Sequence, residues 1–410
     1  MLATSQARRK STRRSTVHNA TAAVSAVDAF EAGEVTPKIA RFLAEKQPET
    51  PCLVVDLDVV EKNYLQLTRA FPAARTFYAV KANPEAQIVR RLASLGAGFD
   101  IASPGEIDIC MAHDIAPSRL SYGSTIKKER DIAFAYKRGV RLFAFDSEAE
   151  LRKLAAAAPG SQVFCRVLMN CPGAEWPLSR KFGCAPAMAA DLLIEARKLG
   201  LDPYGLAFHV GSQQTDLSQW DAALEQMARI FTVLHKADVE LRMINLGGGF
   251  PARYRSQVPN IDAYGNAVMD AVVKHFGNNM PDLFVEPGRG IVGDAGVIEA
   301  EVVLIAIKDY GEAKRWVYLD VGKFSGLAET MDEAIKYRIR TPRDGGPMGP
   351  VVLAGPTCDS VDTLYEKTDY YLPLDLQVGD KVHILSTGAY TASYSSVGFN
   401  GFPPLKSYCI

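Results

Sequence analysis

The sequence predicts a (β/α)₈ barrel followed by a second, mostly β domain, and three observations predict it. Apolar strand-like runs begin near Thr76, Gly98, Arg119, Arg141, Gln162, Gly205, Arg242 and Leu283, with amphipathic helical patterns such as 187–199 and 217–235 between them. Strands alternating with crossover helices to a count of eight make a closed barrel. The glycine cluster Gly247-Gly248-Gly249 follows the seventh of these strands, whereas an open doubly wound sheet would carry its glycine-rich loop after the first. Past Gly293 the texture changes: 297–307, 315–320, 351–354, 368–374 and 381–385 read as strands, and glycine and proline break the intervals without regular helices.

From the N-terminus, residues 1–27 are rich in Ser, Thr and Ala, carry Arg8, Arg9, Lys10, Arg13 and Arg14, and hold no acid before Asp28. That composition predicts a disordered basic tail, and no apolar h-region makes it a secretory signal. Ordered structure is expected from near Phe30 or Ile39, and Pro51-Cys-Leu-Val-Val-Asp56 reads as the first strand. The barrel is assigned to 56–292, and 28–55 is expected to join 293–410 in the β domain.

Composition narrows the function. The 410 residues are 48% hydrophobic, enough for a large core and more than one domain. Basic and acidic residues balance, 46 against 47, so no basic stripe marks a nucleic-acid partner and a small-molecule substrate is expected. No apolar run is long enough to cross a bilayer. Seven scattered cysteines without Cys-x-x-Cys spacing and six histidines without metal spacing predict no metal site, and thiols reduced in the cytoplasm.

Chemistry concentrates at Phe77-Tyr-Ala-Val-Lys81-Ala-Asn-Pro84. A run suited to a buried strand ends in a lysine, and Asn-Pro then forces a turn. Lysines at strand tips usually end in water, but side chains at the C-terminal ends of barrel strands converge on one mouth. An amine desolvated there loses its proton near neutrality and can bond to an aldehyde cofactor such as pyridoxal 5'-phosphate.

The same rim collects Phe208-His209-Val-Gly-Ser212 after the sixth strand, Asn245-Leu-Gly247-Gly248-Gly249 after the seventh and Glu286-Pro-Gly288-Arg289 after the eighth. The triple glycine lets backbone approach an anion, Ser212 adds a hydroxyl and Arg289 a fixed charge, so a phosphate fits. A Glu286 carboxylate against a pyridine nitrogen would keep it protonated and strengthen an electron sink of the kind decarboxylation needs. The plainer alternative is an ion pair between Glu286 and Arg289. His209 could stack on the ring.

Six motifs in this order, Tyr78-Ala-Val-Lys81-Ala-Asn, His209-Val-Gly-Ser212, Gly247-Gly-Gly-Phe-Pro251, Glu286-Pro-Gly-Arg289, Gly355-Pro-Thr-Cys358-Asp359 and Gly388-Ala-Tyr390-Thr, resemble the ornithine/lysine/arginine/diaminopimelate decarboxylases of fold-type III, nearest the bacterial ornithine type. The resemblance runs from about residue 50 to Phe402. It implies a TIM barrel of the alanine racemase type, pyridoxal 5'-phosphate as cofactor, a homodimer with shared active sites, and a place in polyamine biosynthesis. It implies that Lys81 carries the cofactor and His209 stacks on it. Ser212, Gly248, Gly249, Gly288, Arg289 and Tyr390 would hold the phosphate, Glu286 the ring nitrogen, and Arg166 would lie near the ring hydroxyl. Asp100, with Phe99 and Glu106, would lie beside the cofactor. Cys358 would reprotonate the α-carbon and Asp359 take the distal ammonium, both from the second subunit. Asp332 lies in a segment similar to the bacterial ornithine/lysine specificity segment.

These matches imply L-ornithine conversion to putrescine, with L-lysine to cadaverine as a second reaction. A diaminopimelate decarboxylase is the first alternative, but a Cys-Glu-Ser motif would be expected there, where Cys358-Asp359-Ser360 suits a bare ammonium. An alanine racemase sets an arginine against the ring nitrogen, where this chain has Glu286. A non-catalytic regulator resembling the antizyme inhibitors would have lost the lysine, the cysteine or a phosphate ligand, and none is missing.

Overall fold

The computed structural model describes residues 34–176 and 180–410. The tail predicted over 1–27, and an ordered start at Phe30, lie outside the described residues; the first helix is Pro37–Lys46, capped by the Thr36 hydroxyl, which accepts the Ile39 N–H at 3.1 Å.

Eight parallel strands close into a barrel in chain order: Ala74–Ala79, Gly98–Ile101, Leu120–Tyr122, Leu142–Phe145, Gln162–Arg166, Asp202–Ala207, Met243–Asn245 and Asp282–Val285. The eighth pairs with the first, Leu283 opposite Ala74. The barrel expected from the sequence is therefore present. The helices expected over 187–199 and 217–235 are Pro186–Lys198 and Ser218–Lys236. Side chains from alternate strand positions fill the lumen: Phe77, Leu142, Phe164, Tyr204, Met243 and Phe284 form a buried cluster distinct from the shell between strands and helices. Each large side chain buried there contributes about 1.5–3 kcal/mol. A plugged lumen leaves the rim as the place where polar side chains can meet.

The second sheet has eight strands. Ile339–Arg340, Lys381–Leu385, Gly296–Ala306, Arg315–Leu319, Met348–Ala354 and Thr363–Pro373 lie side by side in that order, and Cys52–Val55 pairs antiparallel with Gly296–Ala306 and parallel with Lys406–Cys409. Ile339–Arg340 and Lys406–Cys409 were not expected: two and four residues are too few for an alternating pattern, and their pairing partners define them. The two-stranded antiparallel sheet of Ala174–Trp176 with Ser212–Gln214 on the rim was missed for the same reason.

A loop after Lys381–Leu385 fastens this sheet to the barrel mouth. The Tyr390 N–H donates to the Ala82 carbonyl at 2.8 Å, and Asn83 Nδ2 to the Gly388 carbonyl at 2.9 Å. These bonds grip the turn that carries Lys81.

Candidate active site

The first barrel strand ends in a 3₁₀ turn, Val80–Ala82, which lifts Lys81 above the rim while Val80 and Ala82 anchor the turn in the core. Lys81 Nζ lies 2.8 Å from Asp100 Oδ2, at the end of the second strand. The second carboxylate oxygen of Asp100, Oδ1, is buried and has no partner among the described residues. Gly123 makes room for it, since a Cβ there would meet Oδ1 at 2.0 Å. The expectation that desolvation makes Lys81 neutral near pH 7 is corrected. The Lys81 side chain is 52% exposed. Its partial desolvation pulls the ammonium toward losing its proton, but the charge of Asp100, joined by Tyr390 and Glu286, outweighs that pull and raises the pKa above the usual lysine value.

Glu286 follows the eighth strand and stands across the mouth. Burial, reinforced by Asp100, pushes its carboxyl up to about 7, against the pull of Lys81, of a hydrogen bond from Asn245 and of Arg166. Asn245 Nδ2 donates to Glu286 Oε1 at 2.5 Å. The alternative pairing of Glu286 with Arg289 does not occur.

His209 accepts the Gly211 N–H on Nδ1 at 2.9 Å, so its proton sits on Nε2. Burial, with the like charges of Arg166 and Lys81, lowers its pKa to about 3 and keeps the ring neutral. Arg166 ends the fifth strand with its guanidinium 5.2 Å over the Phe182 ring. Glu106 is held back toward the site by an N-terminal cap: Ser103 Oγ accepts its N–H, and its carboxylate accepts the Ala102 N–H at 2.6 Å. Burial raises Glu106 to about 7.

Gly248, Gly249, Gly288, Ser212, Arg289 and Tyr390 line one cleft with Lys81, His209 and Glu286. Glycine is required at its floor. Gly249 has φ of +104°, and a Cβ on it would meet the Gly211 carbonyl at 2.6 Å; on Gly288 it would meet Ala82 at 2.9 Å and the Tyr390 hydroxyl at 3.2 Å. Tyr390 itself has φ of +53°, a strain of about 1–3 kcal/mol, held by its bond to Ala82.

Arg289, expected as a fixed charge, is held by a set of partners the sequence did not show. Its guanidinium makes two bonds to Glu329, at 2.8 and 2.6 Å, one to the Tyr254 hydroxyl at 2.5 Å and one from Nε to Ser212 Oγ at 3.2 Å. A buried guanidinium needs a counter-charge, and Glu329 supplies it.

These groups fit pyridoxal phosphate. An amine stands at the mouth, an unpartnered carboxylate oxygen lies beside it, a neutral flat ring flanks it, and a glycine floor with a hydroxyl and a guanidinium lies opposite.

Cys358, Asp359 and Asp332 are not brought into this cleft. Cys358 and Asp332 are exposed and Asp359 is half-buried. The Cys358 N–H donates to Asn400 Oδ1 at 2.9 Å, and Asp359 Oδ1 accepts the Val361 N–H at 2.9 Å. Asp332 has φ of +52° at the end of the 3₁₀ stretch Ala328–Glu333 that carries Glu329. Sequence reasoning passed over Glu329, Asn245, Tyr254 and Gly123. A glutamate inside an apolar turn, Leu327-Ala-Glu329-Thr, is the one signal that could have pointed to a buried counter-ion.

Among the described residues, no helix is long and apolar enough to cross a membrane. The family of pyridoxal-dependent decarboxylases, through its pyridoxal binding domain, matches residues 57–293. The lysine/ornithine decarboxylase of Selenomonas ruminantium is 36% identical over 370 residues, covering 90% of this chain and 91% of that protein. The crystal structure of lysine decarboxylase from Selenomonas ruminantium superposes with a TM-score of 0.83 at 32% identity, over 93% of this chain and 97% of that one. The lysine/ornithine decarboxylase of Vibrio vulnificus, solved with cadaverine, gives 0.82 at 30% identity, over 92% of this chain and 100% of that one. A cleft built for an aldehyde cofactor with an anionic tail, on a barrel matched over most of its length, has one reading: the chain belongs to the fold-type III pyridoxal-dependent decarboxylases and is an enzyme that uses pyridoxal 5'-phosphate.

Proposed function

We propose that the enzyme decarboxylates L-ornithine to putrescine and, as a second substrate, L-lysine to cadaverine, with its active sites shared across a homodimer. The observation that carries this reading is the convergence of Lys81, Asp100, Glu286 and His209 above a glycine floor. It is joined by a Cys358-Asp359-Ser360 loop whose thiol and carboxylate do not line that cleft in the single chain.

When bound, pyridoxal phosphate supplies an electron sink for the pair left as the α-carboxylate departs as carbon dioxide. The protein does the rest. Lys81 holds the cofactor, and Asp100 takes up the charge of its ammonium. Glu286 would face the ring nitrogen of a bound cofactor; raised to about 7 by burial, its carboxyl would ionise beside a cation. His209, held neutral, offers a flat face without competing for that proton. Arg166 orients the ring hydroxyl. Ser212, Gly248, Gly249, Gly288, Arg289 and Tyr390 fix the phosphate and so the direction of the bond to be broken.

Cys358 and Asp359 reach the cleft from a second copy of the chain. Cys358 Sγ then delivers a proton to the α-carbon, and Asp359 with Asp332 receives the distal ammonium, whose removal from water is costly without a carboxylate. Support for the dimer comes from the exposed Val397, Phe399 and Phe402, on the segment that holds the Cys358 backbone through Asn400. A distal carboxylate, as in diaminopimelate, would meet two like charges and be repelled.

The test is carbon dioxide release from ornithine, lysine, arginine and meso-diaminopimelate by the purified enzyme with its cofactor. Turnover of ornithine and lysine only is expected; turnover of diaminopimelate would remove the assignment. Mixing the inactive K81A chain with the slowed C358A chain tests the sharing. Random reassortment gives about half heterodimers with one intact site each, and so about a quarter of wild-type activity. No recovery would place each site within one chain.

A further inference from the structure

We infer that Asn245 is a positioning residue for the ring-facing carboxylate: one side-chain amide ties Glu286 to the glycine turn of the phosphate cradle. Asn245 is the last residue of the seventh barrel strand and is 1% exposed. Which end of an amide is oxygen must be decided from its partners, and here they decide it. Asn245 Oδ1 accepts the Gly247 N–H at 2.9 Å, so the other end, which meets Glu286 Oε1 at 2.5 Å, is the NH₂. A backbone bond closes the loop, with the Glu286 N–H donating to the Gly247 carbonyl at 2.8 Å. The turn that grips the anionic tail and the carboxylate that faces the ring are thus held at one separation.

The amide also acts on charge. The groups facing Glu286 are Asp100 at the end of the second strand, Lys81 after the first, Arg166 after the fifth and the neutral His209 after the sixth. Asp100 and burial drive Glu286 toward its protonated form, while Lys81 and Arg166 draw it back. A donor that can never become an acceptor favours the ionised form at every pH. An acid in the same place would donate only while it kept its own proton.

This rests on the reading that Glu286 faces the ring nitrogen, and the experiment separates the two. Holoenzyme is prepared with pyridoxal phosphate labelled with ¹⁵N in the ring, and the ring-nitrogen resonance is followed across the neutral pH range in wild type, E286Q, N245L and N245D. Wild type is expected to show the protonated ring throughout. N245L shifts the resonance toward the unprotonated position and lowers kcat by about 10–100-fold with little change in KM. N245D is isosteric and retains an acceptor for Gly247, so it tests the idea even if N245L fails to fold. It is expected to match wild type on the acid side and to lose the protonated signal as its second carboxyl ionises, returning on acidification. An unchanged resonance in E286Q would overturn the placement of Glu286 and this inference with it. A changed resonance in E286Q, with wild-type behaviour in N245D across the range, would overturn the role of Asn245 alone.

Discussion

Asp100 holds Lys81 in a 2.8 Å ion pair and keeps its second oxygen buried without a partner. The acid is therefore a store for the lysine's charge as well as an unsatisfied acceptor in the barrel mouth. Removing the charge in D100N takes away the main group that raises the Lys81 pKa, so the pKa falls and neutral amine appears at lower pH. Uptake of pyridoxal phosphate by the cofactor-free D100N protein, followed by visible absorbance, should have its pH midpoint below that of wild type. A midpoint at or above the wild-type value would contradict the electrostatic account.

The Arg289–Glu329 pair predicts a large stability effect. Both side chains are almost fully buried, so E329A leaves a guanidinium without its counter-charge and should cost about 3–5 kcal/mol in denaturant unfolding. The double replacement R289M/E329M should cost less than E329A, because no lone charge remains. Equal losses in the two would show that packing rather than charge dominates.

His209 sets a slope on the acid side of the stability curve. Its folded pKa, about 3, lies below the ordinary 6.5, so between these values the unfolded chain binds the extra proton. Stability is fully present above about pH 6.5 and is lost as pH falls toward 3. H209F should lack this component, seen as a shallower fall in midpoint between pH 6.5 and 4, and the wild-type imidazole should show no protonation shift by NMR over the same span.

Asp359 should act on binding. D359A removes one carboxylate from the proposed distal-ammonium pocket and is expected to raise KM for ornithine and lysine by about 10²-fold, with a smaller fall in kcat. C358A should do the opposite, lowering kcat with KM nearly unchanged. Unaltered ornithine and lysine kinetics in D359A would mean the ammonium is held elsewhere.

The pieces of this enzyme that a linear reading determined are those whose chemistry and geometry are local. Lys81, Glu286 and the triple glycine each stand at the end of a strand whose apolar run is plain, and the alternation of eight such runs is enough to bring their ends to one rim. What only the tertiary structure decided is which partner each charge takes. Lys81 was expected to lose its proton by burial, but Asp100, 19 residues away, holds it. Arg289 was expected as a fixed charge, and it is Glu329, 40 residues on and beyond the barrel, that takes two of its bonds. Asn245 reads as an ordinary strand-end polar residue until Glu286 is seen against it. Periodicity records which face of an element is buried, whereas pairing between segments far apart leaves no periodic mark. It is settled where buried charges must find one another in a medium that offers no water in their place.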